Sequence, residues 1–233
     1  MKYDANGIIT FLNETALATI ENLDDIDFEN FGWELAQELS SAQVEDTEWE
    51  SFYGSTKGVL VPDDCDYVIK IPFTGIRRKK EEPYKSFSIN GFNEYCELEQ
   101  FIYYSALVNG LSKFFAKTIK IGEVGNFSIY VQEKASADTW DWSDWTKKNV
   151  SSSKRIKSMV SKKEVKNTKK ICKKNKVKCF NAPFMALVLK ENGKETMLKL
   201  GRFVNECVND VHMGNLGFIG KKPVIIDYSG FYE

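Results

Sequence analysis

Histidine and closely spaced cysteines are what this sequence lacks most. Its 233 residues contain one histidine, His212, and five cysteines, none of them in a C-x-x-C pair. Metal centres with several histidines, and catalytic triads that use any other histidine, are therefore excluded. An odd number of scattered cysteines argues against a disulfide framework or a structural zinc site and favours a reducing compartment.

The sequence also lacks an apolar run of membrane-spanning length. Its first residues, 1–4, do not have the apolar core of a signal peptide. Apolar residues make up 42 % of the chain and charged residues 28 %, as in ordinary globular proteins. We therefore expect a cytoplasmic protein that does not bind membranes.

Positive charge is missing from the first part of the chain and concentrated later. Residues 3–56 contain thirteen Asp and Glu and no Lys or Arg, whereas residues 147–178 contain fourteen Lys and Arg and one acid, Glu164. Such blocks are solvated faces or bind a partner of opposite charge, and these two could also dock on each other. We predict that residues 147–178 dock a protein substrate or another acidic macromolecule. Nucleic acid is the less favoured partner, because few aromatic side chains are present for bases to stack on.

Hydrophobic periodicity predicts strands mainly in the first half of the chain and helices mainly in the second. The basic segment is predicted to be either a helix or a flexible insertion. The other predicted elements are a hairpin of 59–61 and 67–73, a helix over 93–108, strands at 127–131 and 184–190, a helix over 196–209, and a hairpin of 216–218 and 224–226. This order predicts an α+β protein of two lobes.

A lysine lies inside the second predicted strand. Lys70 stands in the apolar run 68–71, where lysine is seldom found without a reason. It is either a side chain that extends from a sheet edge to solvent or an ammonium group that binds phosphates and needs a carboxylate partner. The next helix offers Glu97 and Glu99, which lie about 200° apart around the helix axis. We favour Glu97, because it shares a face with two aromatic residues.

Gly54 and Gly58 bracket a turn just before that strand. Glycine lets backbone N–H groups approach phosphate oxygens where a side chain would clash. Taken alone, an ordinary hairpin turn explains the pattern more simply.

Two polar turns near the end of the sequence carry the residue types of a phosphoryl-transfer site. Asp210 and Asn215 are five residues apart in the first turn, and Asp227 follows the apolar run 224–226. A carboxylate can orient an attacking hydroxyl, while an Asn and a second carboxylate can hold magnesium. His212 lies inside the first turn and either positions Asp210 or is structural.

These residues resemble, in type and order, the motifs of the protein-kinase-like superfamily, and most closely its phosphotransferase and phage-type kinase branches. Those branches carry a D-x-H-x-x-N motif in the catalytic loop. The matching segments are Asp210, His212 and Asn215 for this motif, 68–70 for the V-A-I-K strand, 227–230 for D-F-G with one extra residue, and 129–133 for the strand that enters the adenine-binding hinge.

The resemblance implies ATP and magnesium as cofactors and a role for each residue. Asp210, Lys70 and Glu97 would be catalytic, and Asn215 and Asp227 would bind the metal. The residues that would contact the nucleotide are Gly54, Ser55, Gly58, Lys70, Gln132 and Glu133.

The resemblance also implies a two-lobed fold with a strand-rich N-lobe at 51–134 and a truncated helical C-lobe at 135–233. Residues 1–50 would be an acidic extension, and 147–178 a basic insertion in the C-lobe. The implied function is a compact Ser/Thr protein kinase, in the host cytoplasm if the gene is carried by a phage. The alternatives are a kinase-like binding module that acts by association and a kinase of small molecules. The glycine turn departs from the family's three-glycine pattern, and little sequence follows Gly230 to present a substrate.

Overall fold

The computed structural model of the chain describes residues 50–53, 57–61, 66–72, 94–124, 127–137, 151–208, 211 and 213–228. They form a mixed α+β protein with antiparallel sheets, as predicted. The chain divides into two compact units. The first holds residues up to 101 together with 117–134, and the second holds 102–116 and the residues from 135 onward. Within the described ranges, no helix combines the length and the apolar character that a membrane crossing requires.

A five-stranded antiparallel sheet is the centre of the first unit. Its strands are β1 (Glu50–Tyr53), β2 (Lys57–Val61), β3 (Tyr67–Pro72), β4 (Thr118–Val124) and β5 (Phe127–Glu133). Their order across the sheet is β1-β2-β3-β5-β4. The predicted hairpin of β2 and β3 and the predicted strand β5 are confirmed. β1 and β4 are additions to the predicted strands.

The helix that follows β3 in the chain is α1 (Glu94–Val108), close to its predicted extent. Its sequence carries apolar residues on every side, so periodicity alone does not reveal the buried face. The buried residues are Cys96, Glu99, Ile102 and Ala106. Phe101 and Tyr104, by contrast, are 65 % and 48 % exposed. Cys96, Glu99, Ile102 and Ala106 therefore form the buried face of α1, and Phe101 and Tyr104 lie on its exposed side.

Three helices form most of the second unit: α2 (Ser151–Ser158), α3 (Lys162–Lys174) and α4 (Ala182–Cys207). α4 is kinked at Gly193, where the backbone is not helical. Residues 151–158 and 162–174 of the basic segment are thus helical. The predicted strand at 184–190 is wrong, because these residues lie in α4. Asn181 caps α4, its side chain accepting a hydrogen bond from the N–H of Phe184 at 3.1 Å. Residues 184–188 are all apolar and all buried. A continuously apolar run has no hydrophobic period that could distinguish a buried helix from a buried strand.

A second, three-stranded sheet also belongs to this unit. It pairs β6 (Ser136–Ala137), β7 (Leu216–Ile219) and β8 (Lys222–Ile225) in that order. β7 and β8 form the predicted final hairpin, and its two-residue turn begins at Gly220, whose φ of 60° suits glycine. The ring of Phe115 meets the rings of Phe203 and Tyr228 edge to face, with centroids 5.7 and 5.2 Å apart. These contacts anchor the segment after β8 in the core of the unit.

Candidate functional site

Two lysines lie on the same face of the five-stranded sheet. β2 and β3 pair antiparallel, with Val59 opposite Lys70. Alternate residues of a strand share a face, so Lys57 lies diagonally across from Lys70, within reach of long side chains. Both are buried, with 5 % of Lys57 and 3 % of Lys70 exposed. Lysines are rarely buried to this degree unless they are paired.

Glu99 of α1 pairs with both lysines. Its Oε1 lies 2.6 Å from Nζ of Lys57, and its Oε2 lies 2.7 Å from Nζ of Lys70. Glu99 itself is completely buried. Each carboxylate oxygen therefore accepts a short hydrogen bond from one ammonium group, and such charge-assisted bonds are among the strongest in proteins.

Gln132 of β5 extends this network across the sheet. It pairs with Val68 of β3 on one side and with Thr118 of β4 on the other. Its Nε2 donates to Oγ1 of Thr118 at 2.7 Å and lies 3.4 Å from Oε2 of Glu99. Strands β2, β3 and β5 thus contribute polar groups around the carboxylate of Glu99, and Thr118 of β4 is bonded to one of these groups.

The charges of Lys57, Lys70 and Glu99 add to +1. Removing charged groups from water costs several kcal/mol each, and close opposite charges offset that cost only when their geometry is good. Here the carboxylate of Glu99 keeps two ammonium groups at fixed positions. An array of fixed ammonium groups is suited to binding an anion such as a phosphate.

The structure corrects the predicted partner of Lys70: it is Glu99, and not Glu97. The exposed face of α1 is the one with Glu97 and the aromatic residues, and Glu97 itself is exposed. The structure also adds Lys57, which sequence reasoning missed. The sequence contains a signal for Lys57, since it shares one face of an extended segment with Val59 and Val61, as Lys70 shares a face with Val68. The predicted strand, however, begins only at residue 59.

The end of β5, predicted as an adenine-binding hinge, has other contacts in the structure. The side chain of Gln132 belongs to the Glu99 network. The N–H of Glu133 donates to the carbonyl of Lys117 at 3.0 Å, and the N–H of Lys134 donates to the carbonyl of Asp66 at 2.8 Å. Glu133 also accepts a hydrogen bond from the N–H of Lys117 at 2.8 Å. The backbone N–H groups of Glu133 and Lys134 are therefore already hydrogen-bonded within the first unit.

Asn215 and Asp227, the predicted metal ligands, lie at one end of the β7–β8 hairpin. Asn215 ends a short 3₁₀ turn directly before β7, and its carbonyl accepts the N–H of Ile226 at 3.0 Å. Leu216 and Ile225 are paired in the adjacent rung of the hairpin. Asn215 is 7 % exposed, and Asp227 is half-buried. The hairpin therefore places an amide and a carboxylate side chain on neighbouring stretches of backbone.

These two oxygen donors are of the type that magnesium prefers, and magnesium commonly takes its remaining ligands from phosphates and water. Over the residues that the structure describes, no three His, Cys, Asp or Glu side chains gather into a metal-binding group. An Asn–Asp pair of this kind fits a magnesium ion that arrives with a nucleotide.

Several predicted site residues lie outside the described ranges. They are Gly54, Ser55, Asp210 and His212. Gly58 is described, and it lies in β2 between Tyr53 of β1 and Ile71 of β3. The predicted catalytic carboxylate and the predicted glycine turn therefore remain predictions from the sequence.

No protein-family model, no curated protein and no solved structure matches this chain. Its function is inferred from its motifs and from the geometry of the described residues.

Proposed function

We propose that the chain is an ATP- and magnesium-dependent phosphotransferase with a kinase-like, two-lobed fold. The unit with the five-stranded sheet would be the N-lobe, and the helical unit the C-lobe. The observation that carries the proposal is the buried pair of Lys70 on a strand and Glu99 on the following helix. In protein kinases a strand lysine binds nucleotide phosphates and is held by a helix glutamate.

Each group has a defined task in this proposal. Lys70 donates hydrogen bonds to phosphate oxygens, and Glu99 holds its ammonium group in position. Asn215 and Asp227 bind the magnesium that neutralises the phosphates. Asp210, from its sequence motif, orients the acceptor hydroxyl. The first candidate acceptor is a Ser or Thr of a protein, and the second is a small-molecule alcohol.

One observation favours a second function, a kinase-like binding module without catalysis. Lys57 and Lys70 are almost completely buried, and both bond to Glu99. A network closed in this way can stabilise the sheet and the helix without any nucleotide. In that case the same residues would serve only the fold, and the protein would act by association.

Transfer of labelled γ-phosphate from ATP in the presence of magnesium distinguishes the two functions. Acceptors are the protein itself and the components of a cell lysate. The variants are Lys70→Met and Asp227→Asn, and the matched controls are Lys117→Met and Asp66→Asn at exposed positions. We expect transfer by the wild type and both controls, and a loss of about 10²-fold or more in both site variants.

One result would reject the enzyme, and another would reject the role assigned to Lys70. Nucleotide binding without any transfer would support the binding module. Transfer by Lys70→Met at the wild-type rate would remove Lys70 from the reaction. Circular dichroism of every variant shows whether a loss of transfer is a loss of folding.

A further inference from the structure

One face of α3 consists almost entirely of lysine. At 100° per residue, its seven lysines fall within an arc of about 140°, and they extend over about 18 Å of helix axis. All seven are exposed. They are Lys162, Lys163, Lys166, Lys169, Lys170, Lys173 and Lys174. We call this surface the lysine face.

The opposite side of α3 fixes the helix in the second unit. Thr168 and Cys172 are buried there. Ser161 caps the helix: its hydroxyl accepts the N–H of Glu164 at 3.2 Å, and the carboxylate of Glu164 accepts the N–H of Ser161 at 2.6 Å. Glu164, the one acid of α3, also lies 3.7 Å from Nζ of Lys190. The only negatively charged side chain of the helix thus contacts Ser161 and Lys190. It lies on the side of α3 away from the lysine face.

More positive charge flanks the lysine face along the chain. Lys154, Arg155 and Lys157 of α2 are exposed, as are Lys176 and Lys178 after α3. Arg155 lies over the ring of Phe218 at 4.0 Å and donates to the carbonyl of Gly220 at 3.2 Å. The lysines around it remain strongly hydrated point charges on flexible stems, which suit phosphates without requiring a fixed geometry.

The charge block alone favours an acidic protein as the partner of residues 147–178, but the composition of α3 favours another partner. We propose that the lysine face binds the phosphate backbone of double-stranded nucleic acid. Protein–protein interfaces are depleted in lysine and depend on Trp, Tyr and Arg anchors, and α3 contains none of these residues. Single strands are held by stacking on aromatic side chains, which α3 also lacks. A membrane-surface helix needs an apolar face for the lipid, whereas here Thr168 and Cys172 are buried in the protein. A duplex needs only regularly spaced positive charge.

The dimensions give a quantitative expectation. The phosphates of each strand recur every 3.4 Å along the axis of a duplex, so a lysine face that covers about 18 Å of this axis corresponds to about five phosphates. With five contacts, the logarithm of the association constant falls with the logarithm of salt concentration at a slope of about −4.5. The binding does not depend on base sequence and does not rest on phosphotransfer.

The test is fluorescence anisotropy with a labelled 20-base-pair duplex of mixed sequence, titrated at salt concentrations from 0.05 to 0.3 M. The variant is Lys166→Gln with Lys170→Gln, both at the centre of the lysine face. The control is Lys194→Gln with Lys199→Gln, which removes equal charge from exposed positions of α4. Gln is a good helix former, so circular dichroism should match the wild type in both.

Loss of two phosphate contacts should reduce the slope by about 1.8 and the affinity at 0.15 M salt by about 30-fold, while the control stays near the wild type. DNA and RNA duplexes are tested in separate arms. The proposal is overturned if no duplex binds at 0.05 M salt or if the two double variants behave alike. Tighter binding of poly-glutamate, of a single strand or of anionic vesicles than of the duplex would also overturn it.

Discussion

Replacing Glu99 by Gln is the perturbation that most sharply tests the buried network. The side chain keeps its size, but the negative charge between Lys57 and Lys70 is removed. Lys57 and Lys70, which are 5 % and 3 % exposed, would then share a neutral amide in place of this carboxylate. Neither can return to water without movement of β2, β3 or α1.

The size of the effect follows from this burial. Removing one partner of a buried ion pair costs about 3–5 kcal/mol, because the remaining charge is left buried and uncompensated. For a protein of this size, that corresponds to a drop in melting temperature of roughly 6–20 °C, at about 2–4 °C per kcal/mol. The value should lie toward the upper end, since two buried lysines lose their hydrogen bonds to this carboxylate at once.

Urea unfolding, followed by circular dichroism at pH 7, measures the loss. The matched control is Glu97→Gln, two residues away on the same helix but exposed. Its expected cost is within about 0.5 kcal/mol. Equal stability of the two variants would refute the assignment of Glu99 as the partner of both lysines.

The remaining predictions concern other groups of the two units. Lys57→Met leaves the carboxylate with one ammonium group and should cost about 1.5–3 kcal/mol in urea unfolding, less than Glu99→Gln; a larger cost would contradict the shared carboxylate. Burial, together with the neighbouring thiol of Cys172, raises the pKa of Cys179 to about 11. Alkylation of Cys179 by iodoacetamide should therefore be slow at pH 8 and fast only near pH 11. In the urea-unfolded chain, the pH dependence of alkylation should instead follow an ordinary thiol pKa near 9.0. Ser161→Ala should destabilise α3 by about 1 kcal/mol, as measured by hydrogen exchange of its amides. Hydrogen bonds from the backbone and side chain of Ser161 lower the pKa of Glu164 below 4.5. The stability contributed by this carboxylate should therefore be present above pH 4.5 and be lost as the pH falls through the lower folded pKa. An acid transition that is unchanged in Glu164→Gln would contradict this.

The sequence predicts much of the fold because several elements have strong local signals. The β2–β3 hairpin and the β7–β8 hairpin both have apolar arms around a turn that contains proline or glycine. Helix α1 has a length and a composition that strands do not share. The α+β class follows from the order of these elements.

The errors have physical causes that a single sequence does not reveal. Residues 184–190 were predicted as a strand because a helix buried on most sides is as continuously apolar as a buried strand. The choice of Glu97 assumed that the aromatic residues of α1 face the core. In the structure, the face of Cys96 and Ile102 is buried, and Phe101 is exposed. A helix that is apolar all round leaves this choice to tertiary packing.

The candidate site was predictable in its residue types and less so in its pairings. Lys70 was identified because a lysine inside an apolar strand needs a partner. Lys57 is missed because β2 begins two residues before the predicted start of the strand at residue 59. The role of Gln132 depends on strand register, which places it beside Thr118 and within 3.4 Å of Glu99. Register between strands distant in sequence has no local signal.

The effect of magnesium on ATP affinity tests the central claim most directly. Isothermal titration compares ATP binding with and without magnesium in the wild type, in Asp227→Asn and in the exposed control Asp66→Asn. The account predicts that magnesium strengthens ATP binding in the wild type and the control, and that Asp227→Asn loses this gain. An equal magnesium effect in all three proteins, or no ATP binding at millimolar concentration in the wild type, would contradict it.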